Sequence, residues 1–326
     1  MLTRARIRRH DFDFGISAPA RTAFIFIPAL ATLLVACAAQ TLRAAEPIPD
    51  TVAAGAALVE AYADPRFFEG PTWDPGTGKL YFTAFGENNH TQILRLDGPG
   101  KVHVFKDNTE GVNGTYLSND GRLLGAQAFG HRVVSYDFAT GDMRVLASDA
   151  AWHQPNDICQ TSNGDIFFTD PDFADGKTSA VYRLSGGKAT KVVSDMAKPN
   201  GCIAANDGRT LYVGDSHYKH WKAYPIAADG TIGAGRIFFD PDTENRDSPD
   251  GMSIDDRGNL YFAGRGGVWA VTPEGKSMGL IPVPEFCSNV TFGGADGKTL
   301  YLTCSKKMYQ LAMQVRGGQF TGKPAK

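Results

Sequence analysis

The chain is poor in several things, and each shortage removes a class of protein. Cysteine is scarce, with five in 326 residues, at positions 37, 159, 202, 287 and 304. Their separations do not match a zinc site, and a chain of this length does not need disulfides to hold a core. The four cysteines of the body admit three pairings. Cys287 and Cys304 flank one predicted hairpin, so a cross-strand bridge and buried free thiols both stay open. No apolar run reaches the roughly 18 residues of a membrane-spanning helix. No run of lysine or arginine occurs, and the formal net charge is −2, so nothing points to nucleic acid. No phosphate-binding glycine loop is present, which removes support for a nucleotide enzyme. No long helical period appears in the body, which argues against bundles and α/β folds.

The start of the chain differs from the rest. Residues 24–39 form a 16-residue apolar stretch behind Arg4, Arg6, Arg8, Arg9 and Arg21. This is short for a membrane span and suits the core of a signal peptide. Six arginines against two aspartates give residues 1–45 a charge of +4, and the remainder carries −6. The expectation is a leader over 1–45, a catalytic domain over 46–326, and a periplasmic or secreted product. Leu34-Val35-Ala36-Cys37 resembles a lipoprotein box with Cys37 as lipid acceptor. Cleavage at small residues near Ala38, Ala39 or Ala45, and retention as an N-terminal anchor, are the competing readings.

What the body has in abundance is repetition. One short segment recurs six times, headed by Glu69, Asn113, Asn156, Asn200, Asp250 and Asn289, at spacings of 44, 43, 44, 50 and 39 residues. A turn glycine follows each head by eight residues in five copies and by nine in the first. Runs such as Leu80-Tyr81-Phe82 and Leu260-Tyr261-Phe262 come after the turn, as strands do. A period of about 45 residues is that of a four-stranded propeller blade, and six blades use about 270 residues. The 281 residues after position 45 leave little over. The prediction is an all-β fold, a six-bladed β-propeller, rather than a β-sandwich. Leu58–Tyr62 is expected to add a strand that closes the ring, or to form a short helix.

Six residues at one phase of a closed ring lie at one mouth of its channel. Here they supply two carboxylates, four amides and no sulfur, a hard oxygen set suited to calcium, with magnesium, manganese or zinc as alternatives. Asn and Asp before Gly are also ordinary turn residues. That reading is kept for Asn113 and Asn289, which are expected to cap turns or to support the others. It explains less well why a glutamate, Glu69, stands at this phase, or why Pro155-Asn156, Pro199-Asn200 and Pro249-Asp250 repeat.

Glu69-Gly70-Pro71, Pro155-Asn156-Asp157, Pro199-Asn200-Gly201 and Pro249-Asp250-Gly251, in that order, resemble the SMP-30/gluconolactonase/luciferin-regenerating-enzyme family. Phe168-Thr169-Asp170-Pro171 and Thr291-Phe292-Gly293-Gly294 are similar to its bacterial gluconolactonase branch. The resemblance covers residues 65 to about 315. It implies one catalytic divalent metal held by Glu69, Asn156, Asn200 and Asp250, with Asn156 the position that touches the metal through water in some members. It implies hydrolysis of sugar lactones; a related propeller group hydrolyses organophosphates. The animal members carry an arginine where this chain has Gln154, so their sugar contacts do not transfer.

The function expected is a metal-dependent lactonase acting on an aldonolactone. The metal would act as Lewis acid on the carbonyl, with a water beside it as nucleophile and Asp250 as base. Other hydrolysis on the same cage, or ligand binding without catalysis, are the rival readings. Candidate substrate-binding residues are His131, His153, Gln154 and Asp215, with Arg132, Asp170 and His217 also in reach. His131 is expected either to face the channel or to sit in a surface loop. Asp215 is held as a reserve base. Nothing in the sequence implies an obligate protein partner.

Overall fold

A computed structural model describes residues 45–245 and 247–320. The apolar stretch 24–39 and Cys37 lie outside the described residues, so the leader and lipid-anchor expectations are not addressed. The described residues form one compact unit. Among the described residues no helix is long and apolar enough to cross a membrane.

The strands form six four-stranded sheets. Five take their strands consecutively from the chain, with residues 67–106 in blade 1, 112–148 in blade 2, 158–193 in blade 3, 199–239 in blade 4 and 252–282 in blade 5. The sixth combines three strands within 287–312 with Val59–Ala63, which pairs antiparallel to Lys307–Ala312. A strand from before blade 1 thus completes blade 6. This leaves no gap between the first and last blades, and the expected closing strand is present.

The hydrophobic core is divided among the blade interfaces. Tyr81 and Ile93 of blade 1 pack with Val112 and Leu123 of blade 2. Trp221 of blade 4 stacks on Phe262 of blade 5, with ring centroids 4.8 Å apart. Phe68 and Leu80 of blade 1 meet Tyr301 and Met308 of blade 6, which closes the ring by burial as well as by strand pairing. Each sheet is therefore apolar on both faces, which is why its central strands read as Leu-Tyr-Phe runs and not as strict alternation.

The innermost strands crowd the axis. Gly70, Gly114, Gly201 and Gly251 each follow a head residue, and a β-carbon at any of them would collide with the next blade. It would lie 2.1 Å from the Asn113 carbonyl oxygen at Gly70 and 1.9 Å from Asn289 Cγ at Gly251. The backbone N–H of Gly114 donates to the Asn156 carbonyl at 2.7 Å, and that of Gly251 to the Ser288 carbonyl at 2.7 Å. Ser288 Oγ donates to the Phe68 carbonyl at 2.8 Å, linking blade 6 to blade 1. Cys287 and Cys304 face each other in register as free thiols, and Cys159 and Cys202 are also free and buried.

Candidate metal centre

Each head residue stands where the ladder of its inner strand is interrupted. The register shifts between Glu69 and Thr72, between Val112 and Thr115, between Pro199 and Cys202, and between Cys287 and Asn289. In blades 3 and 5 the ladder begins two residues after the head, at Ile158 and Met252. A bulge bends the strand and re-aims its side chain. The second strand of each blade runs back toward the heads, as pairs such as Val112 with Gln127 and Pro199 with Asp215 show. The loops after those strands therefore form the rim of the mouth that holds the heads.

Glu69, Asn156, Asn200 and Asp250 are all buried. Glu69 Oε2 accepts the N–H of Gly70 at 2.9 Å and the side-chain amide of Asn289 at 3.4 Å. Asn200 donates its side-chain N–H to Ser216 Oγ at 3.1 Å, and Ser216 donates in turn to the Pro249 carbonyl at 2.8 Å. This fixes the orientation of the Asn200 amide, since its nitrogen is engaged and its oxygen points the other way.

A third carboxylate completes the group. Asp157 follows Asn156, occupies the phase at which four other blades have glycine, and is buried. Its Oδ2 accepts the N–H of Cys202 from blade 4 at 3.0 Å. Burial pushes the Glu69 carboxyl up to about 8, with the Asp157 charge adding to it and the Gly70 and Asn289 donors opposing it. Burial likewise pushes Asp157 up to about 7, against the pull of the Cys202 and Ile158 N–H groups. Asp250 is raised well above the usual carboxylate range, first by burial and then by the charges of Glu69 and Asp157. The partners that offset these shifts are neutral N–H donors, and none is a cationic side chain.

Three buried carboxyls that repel one another, with no lysine, arginine or histidine among the described residues acting on them, are the electrostatic counterpart of a cation site. Among the described residues no group of three or more His, Cys, Asp or Glu side chains is disposed to hold a metal. Glu69 and Asp250 would need the amide oxygens of Asn156 and Asn200 to complete a shell. That set fits a hard divalent ion, because calcium accepts carboxylate and amide oxygens together.

The rim residues divide into two kinds. Asp170 accepts the backbone N–H of His153 at 3.0 Å and of Gln154 at 2.7 Å, and so fixes the turn that leads to Asn156. His153 Nε2 lies 2.8 Å from Thr178 Oγ1. His131 occupies a left-handed turn position (φ 51°) on the rim of blade 2, half-buried, with Nδ1 buried and without a hydrogen-bond partner. Asp215 corrects the sequence-based expectation. Its Oδ1 accepts the N–H groups of Lys198, His217 and Tyr218, and its Oδ2 that of Ala197. Fully buried and committed to four backbone donors, it clamps the turn before Asn200 as Asp170 clamps the turn before Asn156. It is not placed to bind substrate or to serve as a base.

The letters Gly275-Lys276-Ser277-Met278-Gly279 fit the pattern of a serine-hydrolase elbow. Ser277, however, opens the outermost strand of blade 5, Ser277–Pro282, and no helix follows. That motif needs a strand-to-helix turn beneath its serine. A cavity of about 200 Å³ opens at the other end of the inner strands, lined by Thr72, Thr115, Gln160 and Asn206, with Asp157 and Asn289 at its inner limit.

Residues 67–306 match the model of the SMP-30/gluconolactonase/LRE-like region. The chain belongs to this family. It is 26% identical over 291 residues to a gluconolactonase of Zymomonas mobilis, covering 78% of this chain and 81% of that one. It is 25% identical over 232 residues to a lactonase of Staphylococcus saprophyticus, covering 66% and 69%. The solved gluconolactonase of Xanthomonas campestris superposes with a TM-score of 0.70 at 25% identity, covering 81% of this chain and 91% of that one. Within this family member, sequence reasoning named the four candidate ligands but missed Asp157. The signal was present, since Asp157 alone breaks the head-glycine pattern with a charge.

Proposed function

We propose that this chain is a divalent-metal-dependent lactonase acting on small lactones of the aldonolactone type, with calcium the best-suited ion and magnesium, manganese or zinc as alternatives. The observation that carries this reading is the buried pair Glu69 and Asp250, mutually repelling, with Asn200 bonded to Asp250 and Asn156 buried at the same phase of its own blade. The lactonases and gluconolactonases among its relatives support the same chemistry.

When bound, the ion would supply Lewis-acid polarisation of the lactone carbonyl. The protein's own part follows from its residues. Glu69 and Asp250 bring the two charges, and Asn289 holds Glu69 in place. Asn200, braced by Ser216, presents its amide oxygen. Asp250 would take the proton of the attacking water, as a weak base, because the bound ion holds its carboxyl down. His131, His153 and Gln154 stand at the mouth, where the ring hydroxyls of a sugar lactone would lie.

Initial rates with gluconolactone, γ-butyrolactone, aryl esters and organophosphates, with chelator and after adding back each metal, test the reading. Lactone hydrolysis that chelator abolishes and calcium restores is the expected result. Hydrolysis indifferent to chelator, or confined to organophosphates, would overturn it. We also propose that the leader directs export. Mass spectrometry of the mature protein should show loss of at least residues 1–36, and a diacylglycerol on Cys37 would identify a lipoprotein.

A further inference from the structure

Three aromatic side chains are exposed among the described residues, and all three stand on the mouth that holds the candidate metal centre. They are Phe129, Phe173 and Tyr218, at 43%, 40% and 59% exposure. The other large exposed apolar side chains are aliphatic. Exposed apolar residues scattered singly carry no meaning, but these occupy the same loop in three successive blades. Each follows the second strand of its blade, after Gln127, Asp170 and Asp215. Blades 5 and 6 offer Arg265-Gly266 and Ser305-Lys306 at this place, so the apolar arc covers one side of the mouth only.

The arc is continuous with the site. The Phe129 ring lies over Gly111, two residues before Asn113; a β-carbon there would come within 2.7 Å of Phe129 Cδ2. Phe85 of blade 1 meets Phe129 edge to face at 6.5 Å. The Phe173 loop is closed by Thr178, which donates to Asp172 and contacts His153, three residues before Asn156. Tyr218 donates its backbone N–H to Asp215, whose carboxylate also fixes the turn before Asn200. Its ring stacks on His220 at 5.8 Å. Each aromatic is thus held by the segment that presents a head residue of its own blade.

We infer that this arc receives an apolar arm on the substrate, so that a lactone ring carrying an alkyl or aryl substituent is preferred over the bare ring. The inference rests on the lactonase reading and extends its substrates beyond free aldonolactones. A polyol needs hydrogen-bond partners for each hydroxyl, and two phenylalanine rings supply none. An alkyl or aryl arm leaving the cage toward blades 2 to 4 would cover these rings and be removed from water.

The test is kcat/KM of the full, calcium-loaded protein for γ-butyrolactone, γ-octalactone and γ-dodecalactone, beside gluconolactone. A rise of about tenfold along the γ-lactone series is expected, a fraction of what enclosed methylenes deliver because the arc is open to solvent. The double variant Phe129→Ala, Phe173→Ala should abolish the rise and leave γ-butyrolactone unchanged. Both side chains are partly exposed, so its melting temperature should fall only slightly, through the lost contacts of Phe129 with Gly111 and Phe85. A flat series, or a rise that survives the double variant, would overturn the inference while leaving the lactonase reading intact. A double variant that instead lowers the mass seen by light scattering, with no change along the series, would assign the arc to self-association. Failure on every lactone, gluconolactone included, would reject the underlying reading.

Discussion

Asn289 in the last blade donates its side-chain amide to Glu69 Oε2 in the first, at 3.4 Å and across 220 residues of chain. The bond joins the two ends of the propeller at the candidate metal centre. Asn289 Oδ1 is meanwhile taken by the N–H of Val290 at 2.8 Å, so the amide cannot turn to offer its oxygen inward. Asn289 is therefore a positioning residue and Glu69 a candidate ligand. Asn289→Ala should weaken calcium affinity by about tenfold, and Glu69→Gln by about a hundredfold or more, on the scale seen for supporting and direct groups at metal sites. Titration calorimetry measures both. Unchanged affinity in Glu69→Gln would remove Glu69 from the site.

Asp250→Asn distinguishes a turn residue from a catalytic one. Asn caps such turns as well as Asp, so a purely local role predicts normal activity. If Asp250 is both ligand and base, lactone hydrolysis should fall by at least about a hundredfold with little change in melting temperature at saturating metal. Metal must saturate, because lost occupancy would imitate lost chemistry. Near-normal turnover by the folded, loaded variant would move the base elsewhere, with His153 the next to examine.

The metal-free protein should lose stability as pH rises from about 5 to 8. Glu69 and Asp157 are raised to about 8 and about 7 in the folded state, against roughly 4 when unfolded. The folded chain holds these protons more tightly, so the stability they contribute is full below pH about 4 and fades as pH climbs through the folded values. Melting curves in chelator should show the decline, excess calcium should flatten it, and Glu69→Gln should reduce it. A pH-independent melting temperature in chelator would mean that the carboxyls do not share one buried volume.

Gly70→Ala should destabilise more than a surface glycine substitution. Gly70 has φ 44° and its β-carbon would fall 2.1 Å from the Asn113 carbonyl oxygen. The added methyl must displace backbone, at a cost of about 3 kcal/mol, which lowers the melting temperature by roughly 5–10 °C. Gly121→Ala is the control, since its φ is 77° but nothing lies within 4 Å. Its cost should be the backbone term alone, about 1–2 kcal/mol. Equal losses in the two variants would show that the inner strands do not pack as tightly as described.

The repeat of head residue, turn glycine and aromatic strand was enough by itself to define six blades, because a blade cannot bury its two faces alone and must recur at a fixed period to close a ring. It also brought six head residues to one mouth, since equivalent positions in a ring converge on its axis; the family resemblance then implied Glu69, Asn156, Asn200 and Asp250 as the ligands among them. What lay beyond it were the relations between blades. Asp215 and Asp157 look alike in sequence, an acidic residue beside a turn. Asp215 is tied up by four N–H groups of its own blade, whereas Asp157 bonds the Cys202 N–H of blade 4 and its charge raises the carboxyls of blades 1 and 5. The arc of Phe129, Phe173 and Tyr218 was equally out of reach, because exposure depends on which neighbours cover a side chain. Local pattern determines which strands form, but the charges and surfaces that residues share across blades exist only once the ring has closed.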